Sequence, residues 1–84
     1  MIIKLDDKTE IDTDNDLNSE ERHVIQKLFG WREFADSLEQ FRQKTTQTLK
    51  DGWNNSGPIR KSEPLRRVIE QLEKEVQLRL NNKH

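Results

Sequence analysis

The sequence predicts an α+β fold, a short N-terminal β-hairpin followed by three helices, the last two packed as an antiparallel pair. Three observations predict it. Apolar residues alternate near the start of the chain, they recur at three- and four-residue steps over two later stretches, and Gly, Pro, Ser and Asp punctuate the joints between them. With 84 residues the chain makes one small domain. Its expected divisions are a hairpin and acidic turn over 1–18, two helices over 19–51, a loop over 52–62, a third helix over 63–80 and a loose tail over 81–84.

The hairpin comes first. Ile2, Ile3 and Leu5 precede the polar turn Asp6-Asp7-Lys8, and Thr9-Glu10-Ile11 follows. Two strands are not stable alone in water, so they must pack on the helices or pair with another copy's edge.

Residues 12–23, D-T-D-N-D-L-N-S-E-E-R-H, resemble the opening of a calcium loop, since Asp12, Asp14 and Asp16 fall at its first three ligand positions. Leu17 then stands where the sharp turn needs glycine, and His23 stands where two carboxylate oxygens are needed. A helix start accounts for more of these residues. Ser19 can cap it, or Asn18 can, with Glu21 as the capping-box partner and Leu17 as the staple. We therefore expect no metal here and no cofactor elsewhere.

The first helix is expected from Ser19 to Phe29, with Val24, Ile25, Leu28 and Phe29 on its inner face and Gly30 as its C-cap. The second is expected from Trp31 or Arg32 to Asp51, with Trp31, Phe34, Leu38, Phe41, Thr45 and Leu49 as one buried stripe. Thr45, Thr46 and Thr48 lose χ1 freedom in a helix, which should weaken its last turns. Gly52 ends it. The third helix opens on Ser62 as cap with Pro64 in the first turn, and Leu65, Val68, Ile69, Leu72, Val76 and Leu80 form its seam. Leu78 lies about 220° around that helix from Leu65 at 100° per residue, off the seam.

Composition bounds the function. Leu, Ile, Val and Phe supply 21 residues and the net charge is −1, so the chain should fold, though around a small core. There is no cysteine to staple it. Self-association is the remaining way to bury more apolar surface, and the two helical stripes look too sparse for a lone subunit. The apolar run at the N-terminus is too short for a signal peptide and no segment is long enough to span a bilayer, so a cytoplasmic setting is expected. Residues 1–21 carry a net charge of −6 and residues 22–84 a net +5. That asymmetry suits an acidic segment lying against a basic one, within a chain or between two.

Catalysis is not expected. Cysteine and tyrosine are missing, His84 is terminal, and His23 would need a carboxylate such as Asp16 or Glu20 in a pocket that a chain this short rarely encloses. The expected function is a non-enzymatic protein-interaction or regulatory module acting as a homodimer, with an acidic protein as a further partner. Its partner-binding candidates are Trp53, which sits where helix gives way to loop, Ile59, Arg60, Arg66 and Arg67, in a segment of net charge +3, and Leu78. The alternative is a small DNA-binding regulator, using the first two helices as a helix-turn-helix or the basic start of the third. Glu33, Asp36 and Glu39 on the would-be recognition helix would meet phosphates badly.

Overall fold

A computed structural model describes residues 1–52 and 57–82. Strands β1 (Ile2–Lys4) and β2 (Glu10–Asp12) pair antiparallel, and helices α1 (Ser19–Arg32), α2 (Leu38–Asp51) and α3 (Glu63–Asn81) follow. The expected α+β architecture is present.

The hairpin register places Ile3 opposite Ile11, and both turn toward the helices while Ile2 points to solvent. Its turn closes without glycine. The Lys8 N–H donates to the Leu5 carbonyl at 3.0 Å, and Lys8 itself takes a φ of 69°. That is a type I turn followed by a left-handed residue, the usual three-residue hairpin loop. The Asp7 carboxylate supports it by accepting from the Thr9 N–H at 3.0 Å.

Of the two available caps, Asn18 is the one used. Its Oδ1 accepts from the Glu21 N–H at 2.8 Å, and Glu21 Oε1 accepts from the Asn18 N–H at 3.1 Å, closing a capping box. Glu21 is nonetheless buried, and its second oxygen accepts from the hydroxyl of Ser62, the N-cap of α3. One carboxylate thus joins the starts of two helices that run parallel. Their far ends are joined as well, by Arg32 to Glu75 at 3.2 Å. Helix α2 runs antiparallel to α3, with Arg42 near its start reaching Glu73 on the C-terminal half of α3 at 2.7 Å.

The boundary between the first two helices differs from the sequence expectation. Gly30 does not end α1, which continues through Trp31 to Arg32, and α2 begins only at Leu38 behind the N-cap Ser37. The Gln40 N–H donates to Ser37 Oγ at 3.1 Å, and Gln40 Oε1 takes the Asp36 N–H in return. The intervening break resets the helical phase, so the expected stripe is divided. Phe41, Thr45 and Leu49 are buried and Leu38 is half-buried, but Trp31 and Phe34 lie outside the core. The threonines do not cut α2 short, since it runs to Asp51. Thr45 and Thr48 face inward, and Thr45 Oγ1 donates to the Phe41 carbonyl at 2.9 Å.

Helix α3 matches its expected seam. Leu65, Val68, Leu72 and Val76 are fully buried against Val24, Ile25 and Leu28 of α1 and Phe41 of α2. The helix runs to Asn81, one residue into the expected tail, and Lys83 and His84 lie outside the described residues. The acidic hairpin meets α3 within the chain, where Asp6 engages Gln71 and lies 3.6 Å from Lys74. This core therefore closes on one chain, without a second copy over the α3 seam.

Two outcomes follow for stability. Lys8→Gly should stabilise by about 1 kcal/mol in chemical denaturation, because glycine adopts the left-handed turn conformation without the Cβ penalty. Glu21→Ala and Ser62→Ala should each destabilise, by about 1–3 kcal/mol for a buried charge-assisted contact, and a double-mutant cycle should show the two effects strongly non-additive.

Candidate functional site

The sequence candidates separate in space. Trp53 lies outside the described residues. Ile59 is half-buried against the core, and its N–H donates to the Leu49 carbonyl at 2.7 Å, so it serves the fold. Arg60 is exposed. Arg66 and Arg67 are brought together, but around a shared carboxylate: both guanidiniums contact Glu63, one turn earlier on α3. Arg66 first and Arg67 after it hold the Glu63 carboxyl below its ordinary range. The basic start of α3 is therefore partly neutralised by its own helix. Leu78 is 59% exposed, as its off-seam position implies.

The aspartates of the acidic turn are engaged with one another's backbone. Asp12 accepts from the Asp14 N–H and the Asn15 side chain, Asp16 accepts from the Asp12 N–H, and Asp14 reaches Arg22 at 3.3 Å. Their work in the structure is to shape the entry into α1.

A different surface stands out, one the sequence reading assigned to the core. Arg79, from α3, reaches under the α1–α2 connection, where its Nε donates to the Arg32 carbonyl at 3.1 Å and its terminal nitrogen donates to the Ala35 carbonyl. Ala35 is drawn inward and buried. Its neighbour Phe34 is left on the outside, 74% exposed, and Trp31 one turn earlier is 38% exposed. The two rings border a groove of about 500 Å³ between α1 and α2, whose other walls include Lys27, Gly30, Lys44 and Asp51. The Lys44 ammonium sits 4.3 Å from the centre of the Trp31 ring, a cation–π contact. Among the described residues, no ion pair engages Lys27 or Lys44.

The groove offers aromatic area, two ammonium groups and the carboxylate of Asp51. A sequence signal for it existed. Ser37-Leu-Glu-Gln40 has the form of a capping box, and it places a helix start after Phe34 and so takes that residue out of the α2 stripe.

Comparison with protein-family models, with curated proteins and with solved structures found no match.

Glu63 gives a pH test. Its carboxyl is depressed in the folded chain, so its contribution is present above the ordinary carboxylate range and is lost as pH falls through the folded pKa. Glu63→Gln should lower the thermal midpoint at neutral pH, and the gap between variant and parent should close on acidification below that range, as followed by circular dichroism.

Proposed function

We propose that this chain is a non-enzymatic protein-interaction module that acts as a homodimer. The observation that carries the reading is the pair Trp31 and Phe34, kept in water by the Arg79 clamp on the connection between α1 and α2. Isolated exposed apolar residues are ordinary. Here two aromatic rings border one groove, and aromatic anchors of this kind dominate binding energy at protein interfaces. Covering a ring of this size contributes about 1.5–3 kcal/mol, so Phe34 offers a partner more than the fold has taken.

Lys27 and Lys44 beside the rings favour a surface that brings carboxylates, and the acidic first quarter of this same chain is one such surface. An acidic protein of another kind fits the same chemistry. A cytosolic setting suits a chain without cysteine, and no helix among the described residues is long and apolar enough to cross a membrane. Duplex-DNA binding has less to support it, because Arg66 and Arg67 share Glu63 and the α1–α2 groove carries an acid, Asp51, at its rim.

Sedimentation equilibrium tests the reading. The apparent mass should rise from 10.1 kDa toward twice that value as concentration increases. Phe34→Asp should hold the chain at the monomer mass with its thermal midpoint unchanged, since that side chain is outside the core. A parent chain that stays monomeric at millimolar concentration overturns the homodimer.

A further inference from the structure

Resting on the reading of the α1–α2 groove as an interaction surface, we infer that it takes an acidic amphipathic helix of a different protein, and that this ligand displaces the second copy. The groove is lined by two ammonium groups, Lys27 and Lys44, against one carboxylate, Asp51. Asp51 already accepts from the Gln47 side chain at 2.8 Å. The surplus positive charge lies beside the exposed rings of Trp31 and Phe34. A carboxylate that arrives there with apolar surface is partly withdrawn from water, which strengthens its attraction to the lysines.

A second copy's first quarter can bring only part of the complementary charge. Asp14 is held by the Met1 ammonium and Arg22, Asp6 by Lys74 and Gln71, and Glu21 by Ser62. Asp7, Asp12 and Asp16 accept from N–H groups of their own turns. That leaves Glu10 and Glu20 at the surface. A segment with several carboxylates beside an apolar face therefore fits the groove better than the chain's own hairpin region does.

The walls decide the form of the ligand. Both are helices whose backbone groups are bonded internally, so the groove offers no sheet edge to an extended strand. An amphipathic helix satisfies its own backbone and can lay its apolar face between α1 and α2. Lys27 precedes Trp31 by four residues, about 6 Å along α1, and the Lys44 ammonium stands over the same ring. The ligand thus carries carboxylates about one turn from its apolar anchor. Glu33 and Asp36 stand on either side of Phe34 in the chain, so the acids lie toward Lys27 and the anchor toward Phe34.

A phage-displayed library of random peptides, selected against the full chain, tests the inference. One selected sequence is then synthesised with a fluorophore for titration. The expected result is enrichment of Asp and Glu at helical spacing beside a large apolar residue. Lys27→Glu combined with Lys44→Glu should weaken the dissociation constant about tenfold or more, and so should Phe34→Ala. All three side chains lie outside the core, and circular dichroism checks that the variants stay folded. Saturating peptide should return a dimeric parent to 10.1 kDa in sedimentation. A selection without binders, neutral or basic consensus sequences, or affinity indifferent to the lysine substitutions overturns the inference and leaves the homodimer standing. A dimer that persists with peptide bound does the same. A parent that is monomeric without peptide, yet binds acidic sequences through Lys27 and Lys44, overturns the homodimer and leaves this ligand in place.

Discussion

The arrangement depends on the buried carboxylate of Glu21. Helices α1 and α3 run parallel, so the partial positive charge at both of their N-termini gathers at one end of the molecule, a repulsive arrangement if left bare. Glu21 lies there, accepting from the Asn18 N–H and from the Ser62 hydroxyl, while Ser62 Oγ in turn accepts from the Leu65 N–H. Among the described residues, every buried side-chain polar atom has a partner. The same contact sets the register of α1 on α3, which determines that Arg32 meets Glu75 and that Arg79 reaches the α1–α2 connection.

That register explains the exposed aromatics. Apolar surface usually stays in water because nothing near it can cover it, but Phe34 is next to Ala35, which Arg79 holds in the interior. The connection is fixed by hydrogen bonds to backbone carbonyls, so Phe34 cannot turn inward without breaking them. The sequence argument for assembly was scarcity, two stripes too thin for one subunit. The structure replaces scarcity with display, since the core is sealed by one chain and the uncovered rings are a surface feature.

How much of this was legible depends on the range of the interactions. The hairpin, the caps at Asn18 and Ser62, and the full seam of α3 could be read, because each is set by residues within a few positions of one another. The join between α1 and α2 could not be read from spacing alone. Trp31 and Phe34 stand three and four residues from their neighbours whether or not the helix is continuous, and Gly30 looks like a terminus although α1 passes through it. Only the cap at Ser37 shows the break. The Glu21–Ser62 and Arg79–Ala35 contacts join residues more than forty positions apart, and no local pattern announces them. At the basic start of α3, a charge sum over Ile59–Arg67 does not show that Glu63 sits within reach of both Arg66 and Arg67.

The contact between Asp6 and Gln71 spans 65 positions. During synthesis the hairpin leaves the ribosome well before the helix it rests on. A two-stranded hairpin has little stability of its own, so it must wait for α3, with α1 and α2 also lacking the seam that seals them until then. Gln71 thus marks the stage of elongation before which the hairpin has nowhere to settle.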